Sequence, residues 1–137
     1  MTYLLDANVW IDALRGSDPN VIRRMNNVIA DDVRLSSIVL GELRLGVKKR
    51  GSAKQYRQIE VLAGSYELVG VGNPEAENYA AIRFALESIG QPIGSNDLWI
   101  AAQAVANDLV LVTANDGEFS RVPSLMRTGA SETTAYS

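Results

Sequence analysis

The 137-residue chain contains no cysteine and no histidine. Without cysteine there is no disulfide framework, no thiolate nucleophile and no cysteine-held zinc or iron–sulfur centre. Without histidine there is no Ser-His-Asp triad, no imidazole acid–base pair and no histidine-liganded metal. No apolar run approaches the roughly eighteen residues that a membrane span needs. The opening MTYLLDANVW lacks a basic region and meets an aspartate at once, unlike a secretory leader, so a cytoplasmic location is expected. Any enzymatic chemistry must rest on carboxylates, amides, hydroxyls, lysine or arginine.

What is present is the composition of one globular domain, with 47% hydrophobic and 21% charged residues. The formal net charge is −3, but it is unevenly spread. Between Leu43 and Arg57 lie Arg44, Lys48, Lys49, Arg50, Lys54 and Arg57 with no acidic residue, while the rest of the chain is strongly acidic. A local basic strip is the electrostatic footprint of nucleic-acid binding, although a solvated helix face looks the same in sequence.

The pattern of apolar residues and breakers predicts alternating strands and helices. Tyr3-Leu4-Leu5 reads as a buried strand ending at Asp6, and Asn8 can cap a helix from Val9 to Leu14 that Gly16 ends. Asp18-Pro19 opens a second helix running to about Ala30, followed by a strand over Val33 to Ser37. Helices are expected from Ile38 to Arg50 and from Ala53 to Ala63, broken by Gly51-Ser52. Tyr66 to Val71 reads as a third strand, Pro74 starts a long helix, and Leu98 to Ala106 is apolar nearly all round. Leu109 to Val112 is a fourth strand. Trp10, Trp99, Tyr79 and Phe84 are expected in the core. The fold class is therefore α/β, a mostly parallel sheet of four to five strands between two helical layers. Residues 1–127 form one domain, and the polar stretch 128–137 is expected to be a flexible tail.

Open parallel sheets bind ligands at the carboxyl ends of their strands. Asp6 follows the first strand, and Thr113, Asn115 and Asp116 follow the fourth. Glu42 sits among apolar neighbours in the helix after the second strand, and Asp97 starts the buried helix. Each has a structural alternative. Asp6 and Asp97 can cap helices, Asn115-Asp116-Gly117 can be a turn, and the basic strip can pair with Glu42. Several carboxylates drawn to one sheet edge repel each other unless protons or a cation offset the charge. A hard cation such as Mg²⁺ or Mn²⁺ takes oxygen ligands and suits phosphodiester hydrolysis without histidine.

Four blocks, Leu4-Leu5-Asp6-Ala7-Asn8, Gly41-Glu42-Leu43, Pro92 to Ala102 and Leu111 to Pro123, resemble the PIN-domain family in order and spacing, and within it the VapC-type toxins. The resemblance implies a Mg²⁺- or Mn²⁺-dependent endoribonuclease that cuts structured RNA and arrests translation. It implies a homodimer silenced by a small VapB-like antitoxin, seated on the helices after Ser17 and after Glu42, with Val21, Ile22, Met25 and Leu45 as candidate contacts. By matching position, Asp6, Glu42 and Asp97 would be the catalytic and metal-binding acids. The fourth acidic position falls on Asn115, with Asp116 adjacent. Thr113 would lie beside the site, Asn8 would hold a water at the metal, and Lys48, Lys49 and Arg50 would hold RNA phosphates. Two other readings stand beside this one. The first is an aspartyl-phosphate phosphatase or phosphoacceptor, with Asp6 as nucleophile and Ser36 or Ser37 on the phosphate. The second is a non-catalytic protein- or RNA-binding module.

Overall fold

A computed structural model describes residues 1–130. Its centre is an all-parallel five-stranded sheet: β1 (Tyr3–Leu5), β2 (Val33–Ser36), β3 (Glu67–Val69), β4 (Val110–Thr113) and β5 (Arg127–Gly129), in the order β3-β2-β1-β4-β5. Seven helices flank it: α1 (Ala7–Arg15), α2 (Pro19–Asn26), α3 (Ser37–Arg50), α4 (Ala53–Ser65), α5 (Asn73–Ser88), α6 (Ser95–Ala106) and α7 (Asp116–Phe119).

The central strands read as continuous apolar runs because both faces are covered. Tyr3, Leu4 and Leu5 are buried, as are all four residues of β4. The outer strands β3 and β5 are only partly covered. In α6 the alanines Ala101, Ala102 and Ala104 are fully buried, and α5 packs along this helix. Trp10 is buried edge-on against Tyr66, with ring centroids 5.0 Å apart.

Strand order reverses at the β1–β4 pair: the chain builds β2 and β3 on one side of β1, then returns to lay β4 and β5 on the other. In parallel sheets such a switch point opens a crevice at the carboxyl ends of the strands. All five strands point the same way, so Asp6, Ser36 and Thr113 emerge at that edge.

Several sequence expectations need correction. The second helix stops at Asn26, and a turn of 3-10 helix over Ala30–Asp32 precedes β2. Asn115-Asp116-Gly117 is not a plain turn but the start of α7. The expected tail begins too early, since Thr128 and Gly129 lie in β5 opposite Val112 and Thr113. That strand has too few apolar residues to be read as one; β4 supplies its hydrogen bonds, and the buried Arg24 guanidinium donates to the Gly129 carbonyl. Residues 131–137 lie outside the described ones. Phe84 is not core but 75% exposed. Tyr79 and Trp99 stack on each other, 3.9 Å between centroids, at a half-covered position where α5 meets α6. No helix among the described residues is long and apolar enough to cross a membrane.

Candidate active site

Asp6 is built in by both strand and helix. Its backbone N–H donates to the Val112 carbonyl at 3.0 Å, so it is still tied to the sheet. Its Oδ1 accepts from the Val9 N–H at 3.1 Å, making Asp6 the cap of α1. Asn8, expected in that place, is exposed on the first helical turn, with only its backbone N–H directed at Asp6. Across the switch point the Thr113 hydroxyl donates to Asp6 Oδ2 and accepts from the Asn115 N–H at 2.8 Å. Asp6 and Thr113 are both buried. Burial pushes the Asp6 carboxyl above its ordinary range, and the bonds from Thr113, Val9 and Asn8 pull it only part of the way back.

Three further acids share this field. Glu42 is half-buried on α3, and its carboxyl is raised first by burial and then by the negative charge of Asp6. No ion pair to Glu42 occurs among the described residues, so the basic strip does not compensate it. Asp97, on the first turn of α6, is pushed up to about 7 by burial, by a hydrogen bond with Glu118, and by the charges of Glu118, Asp6 and Glu42. Glu118 moves the opposite way, held down chiefly by that bond to Asp97. The two carboxyls compete for one proton, and their hydrogen bond favours the protonated form of Asp97 and the charged form of Glu118.

Glu118 is the acid that the sequence reading missed. Asn115 contributes an amide, its Nδ2 donating to Glu118 Oε2 at 3.3 Å. Asp116 turns away, its carboxylate 73% exposed and paired with Arg127 Nε at 2.6 Å. The one-turn helix α7 swings Glu118 round beside Asn115, an i, i+3 neighbour. The signal was present in Asn115-Asp116-Gly117-Glu118, but the Asp-Gly pair masked it as a turn.

Lys48, Lys49 and Arg50 are exposed on the last turn of α3, where cations suit the helix C-terminus; Gly51 ends the helix at φ +68°. They lie about 9–12 Å along the axis from Glu42 and are outside the acidic cluster. Lys49, one heptad from Glu42, shares its face to within about 20°. Arg50 is folded back, its Nε donating to Gln55 Oε1 at 2.5 Å.

The donor set of Asp6, Glu42, Asp97 and Glu118 is all oxygen and mutually repelling, which suits a hard divalent cation. Among the described residues no three acids are drawn tightly enough together to enclose an ion. The arrangement fits a cation that keeps several of its waters, as Mg²⁺ does, rather than a closed protein cage.

Residues 3–125 match the family described as PIN domain. The chain is 34% identical over 132 residues to Ribonuclease VapC2 of Rickettsia felis, covering 92% of this chain and 96% of that protein. It is 32% identical over 128 residues to the tRNA(fMet)-specific endonuclease VapC of Salmonella typhimurium, covering 91% and 95%. Among solved structures, VapBC-1 from nontypeable Haemophilus influenzae matches with a TM-score of 0.82 at 29% identity, over 96% of this chain and 100% of that one. The chain belongs to the PIN-domain family, in the group of the VapC proteins.

Proposed function

We propose that this protein is a metal-dependent endoribonuclease and the toxin of a toxin–antitoxin pair, working on cytoplasmic RNA. The observation that carries the reading is the convergence of Asp6, Glu42, Asp97 and Glu118 from four separate elements on one switch point. Burial raises the Asp6, Glu42 and Asp97 carboxyls, and the neighbouring acids raise Glu42 and Asp97 further, in a chain with no histidine or cysteine to do other chemistry. Asp6, Glu42 and Asp97 would hold Mg²⁺ or Mn²⁺, with Glu118 in the fourth acidic place. The cation, when bound, supplies charge to polarise a phosphoryl oxygen and to acidify water.

The protein's own residues do the rest. Thr113 and the Val9 N–H each hold one oxygen of the Asp6 carboxylate, fixing its orientation at the crevice. Without the cation the Asp97–Glu118 pair holds a proton up to near neutral pH, and a bound cation would displace it. Asn115 orients Glu118 through its amide. Asn8, exposed beside Asp6, is placed to hydrogen-bond a water there. Lys49, with Lys48 and Arg50, would take phosphates of the RNA strand leaving the crevice along α3.

Antitoxin binding is proposed for the groove between α1, α3 and α4, floored by Ile11, Leu14, Leu43, Val47 and Ile59 and rimmed by Arg15 and Arg50. Of the apolar positions expected to contact it, Leu45 is exposed and Ile22 and Met25 half-covered, but Val21 belongs to the core. Exposed Phe84 on α5 is our candidate for a homodimer contact.

The phosphatase reading loses support because the Ser36 hydroxyl is committed within the fold, to the α3 cap and to Gln103. The reading as a non-catalytic protein- or RNA-binding module loses support because binding alone does not call for several carboxyls gathered at one crevice at a cost in stability.

The direct test is cleavage of total bacterial RNA by antitoxin-free protein with Mg²⁺ or Mn²⁺ against EDTA, with Asp97→Asn alongside. Discrete metal-dependent fragments, lost in the variant, are expected. Intact RNA in every lane from folded protein would overturn the reading.

A further inference from the structure

The two helices that carry Glu42 and Asp97 meet at a fully buried polar pair that the proposed chemistry does not use, Ser36 and Gln103. Gln103 is the only polar side chain among the buried residues of α6. Its Nε2 donates to the carbonyls of Val69 at 2.9 Å and Gly70 at 3.2 Å, where the edge strand β3 ends. Its Oε1 accepts from the Ser36 hydroxyl at 2.6 Å. Ser36 Oγ in turn accepts from the N–H groups of Ile38 at 3.1 Å and Val39 at 3.3 Å, capping α3. Every donor and acceptor in this chain of bonds has one assignment. The serine proton must go to Gln103 because the serine lone pairs already take two backbone N–H groups, and the amide cannot flip without facing its NH₂ to a donor.

The two spacings along the chain are equal. Glu42 lies six residues after Ser36 and Asp97 six residues before Gln103, so each acid is about 9 Å along its helix from the clamp. The helices α3 and α6 also touch directly. Apolar packing alone would hold α6 down but tolerate a sliding shift along its alanine-rich face; a directional, satisfied polar network does not. We propose that Gln103, through Ser36, is a positioning residue that sets the separation of Glu42 and Asp97 and so the affinity of the acidic site for its cation. This rests on the metal-dependent nuclease reading above. It adds to that reading a pair of side chains that touch neither metal nor RNA.

The experiment is Mn²⁺ binding to the purified full chain, followed by electron paramagnetic resonance and by the cation-induced rise in Tm. Wild type is compared with Gln103→Met, Ser36→Ala and, as a control for general loss of stability, Val21→Ala in the core of α2. Gln103→Met is expected to weaken Mn²⁺ binding about tenfold, the lower end of what losing outer support of a metal site does. RNA cleavage should then need about tenfold more Mn²⁺ but recover its maximal rate at saturation. Val21→Ala should lower the Tm and leave the Mn²⁺ affinity where it was. Ser36→Ala keeps both carbonyl bonds of Gln103 but removes the link to α3 together with the α3 cap, so it should weaken Mn²⁺ binding in the same direction and by more than Val21→Ala does at a matched loss of Tm; it decides alone if Gln103→Met fails to fold. Folded clamp variants with wild-type Mn²⁺ affinity, or a core control that weakens binding as much, would overturn the proposal. Wild-type protein that binds Mn²⁺ but cuts no RNA would reject the nuclease reading and leave the clamp standing; wild type that binds no Mn²⁺ would reject both.

Discussion

Replacing Asp97 with asparagine should make the cation-free protein more stable while disabling it. Burial and its acidic neighbours raise the Asp97 carboxyl from 3.8 to about 7 in the folded chain. Between those values the native state holds a proton that the unfolded chain has released. The associated stability is therefore fully present below about pH 4 and is lost as pH climbs through about 7. A shift of about three units would correspond to roughly 4 kcal/mol if all of it reached the folding equilibrium. Asp97 is half-exposed, and the opposite shift of Glu118 returns part of the energy, so about 1–2 kcal/mol is the realistic effect. For a domain of this size that is a Tm change of about 5 °C. Thermal unfolding in EDTA should show Asp97→Asn melting about 5 °C above wild type at about pH 8, with the gap closing near pH 5 as the wild-type carboxyl keeps its proton. Added Mg²⁺ should raise the wild-type Tm at the higher pH and leave the variant unmoved, because a ligand stabilises only the state that binds it. A variant that melts below wild type at about pH 8 in EDTA would refute the reasoning, since Asp97 would then be a net stabilising group rather than one of a repelling cluster.

Glu118→Gln should lower RNA cleavage by about 10²-fold or more, whereas Asp116→Asn, which only breaks an exposed ion pair with Arg127, should change it by less than about threefold. Single-turnover cleavage assays separate the two. Lys49→Ala should raise KM for RNA with kcat kept and reduce the salt dependence by about one phosphate contact, and Lys48→Ala should do less because it faces away from Glu42. Cleavage measured across a series of salt concentrations checks this. Phe84→Glu should convert a dimer to a monomer in light scattering; an unchanged mass would remove that face from consideration.

The sheet was legible where burial is two-sided. Tyr3-Leu4-Leu5 and Leu109 to Val112 are apolar without interruption because parallel central strands have no polar face, and the structure places a strand at each. The outer strands were harder. In β5 the run Arg127-Thr128-Gly129 has no apolar residue, and its strand geometry is imposed by β4 and by the buried guanidinium of Arg24. A tertiary contact of that kind leaves no periodicity behind. Phe84 shows the converse, a residue whose chemistry suggests the core but whose helical position turns it outward.

The acids divide along the same line. Asp6, Glu42 and Asp97 could be picked out because each sits where a carboxylate is locally expensive or locally placed: at a strand end, among apolar neighbours, at the head of a buried helix. Glu118 has no such mark. Its place beside Asp97 depends on α7 completing one helical turn, a conformation four residues long that the Asp-Gly pair argues against on its own. What stabilises that turn is tertiary. Phe119 is fully buried, and the Thr113 hydroxyl fixes the Asn115 N–H at its start. The same Thr113 hydroxyl fixes Asp6, so one side chain sets both the first acid and the entry to the fourth. A site assembled across a switch point is thus specified by residues that hold its acids in place as much as by the acids, and these supporting residues are individually ordinary in sequence.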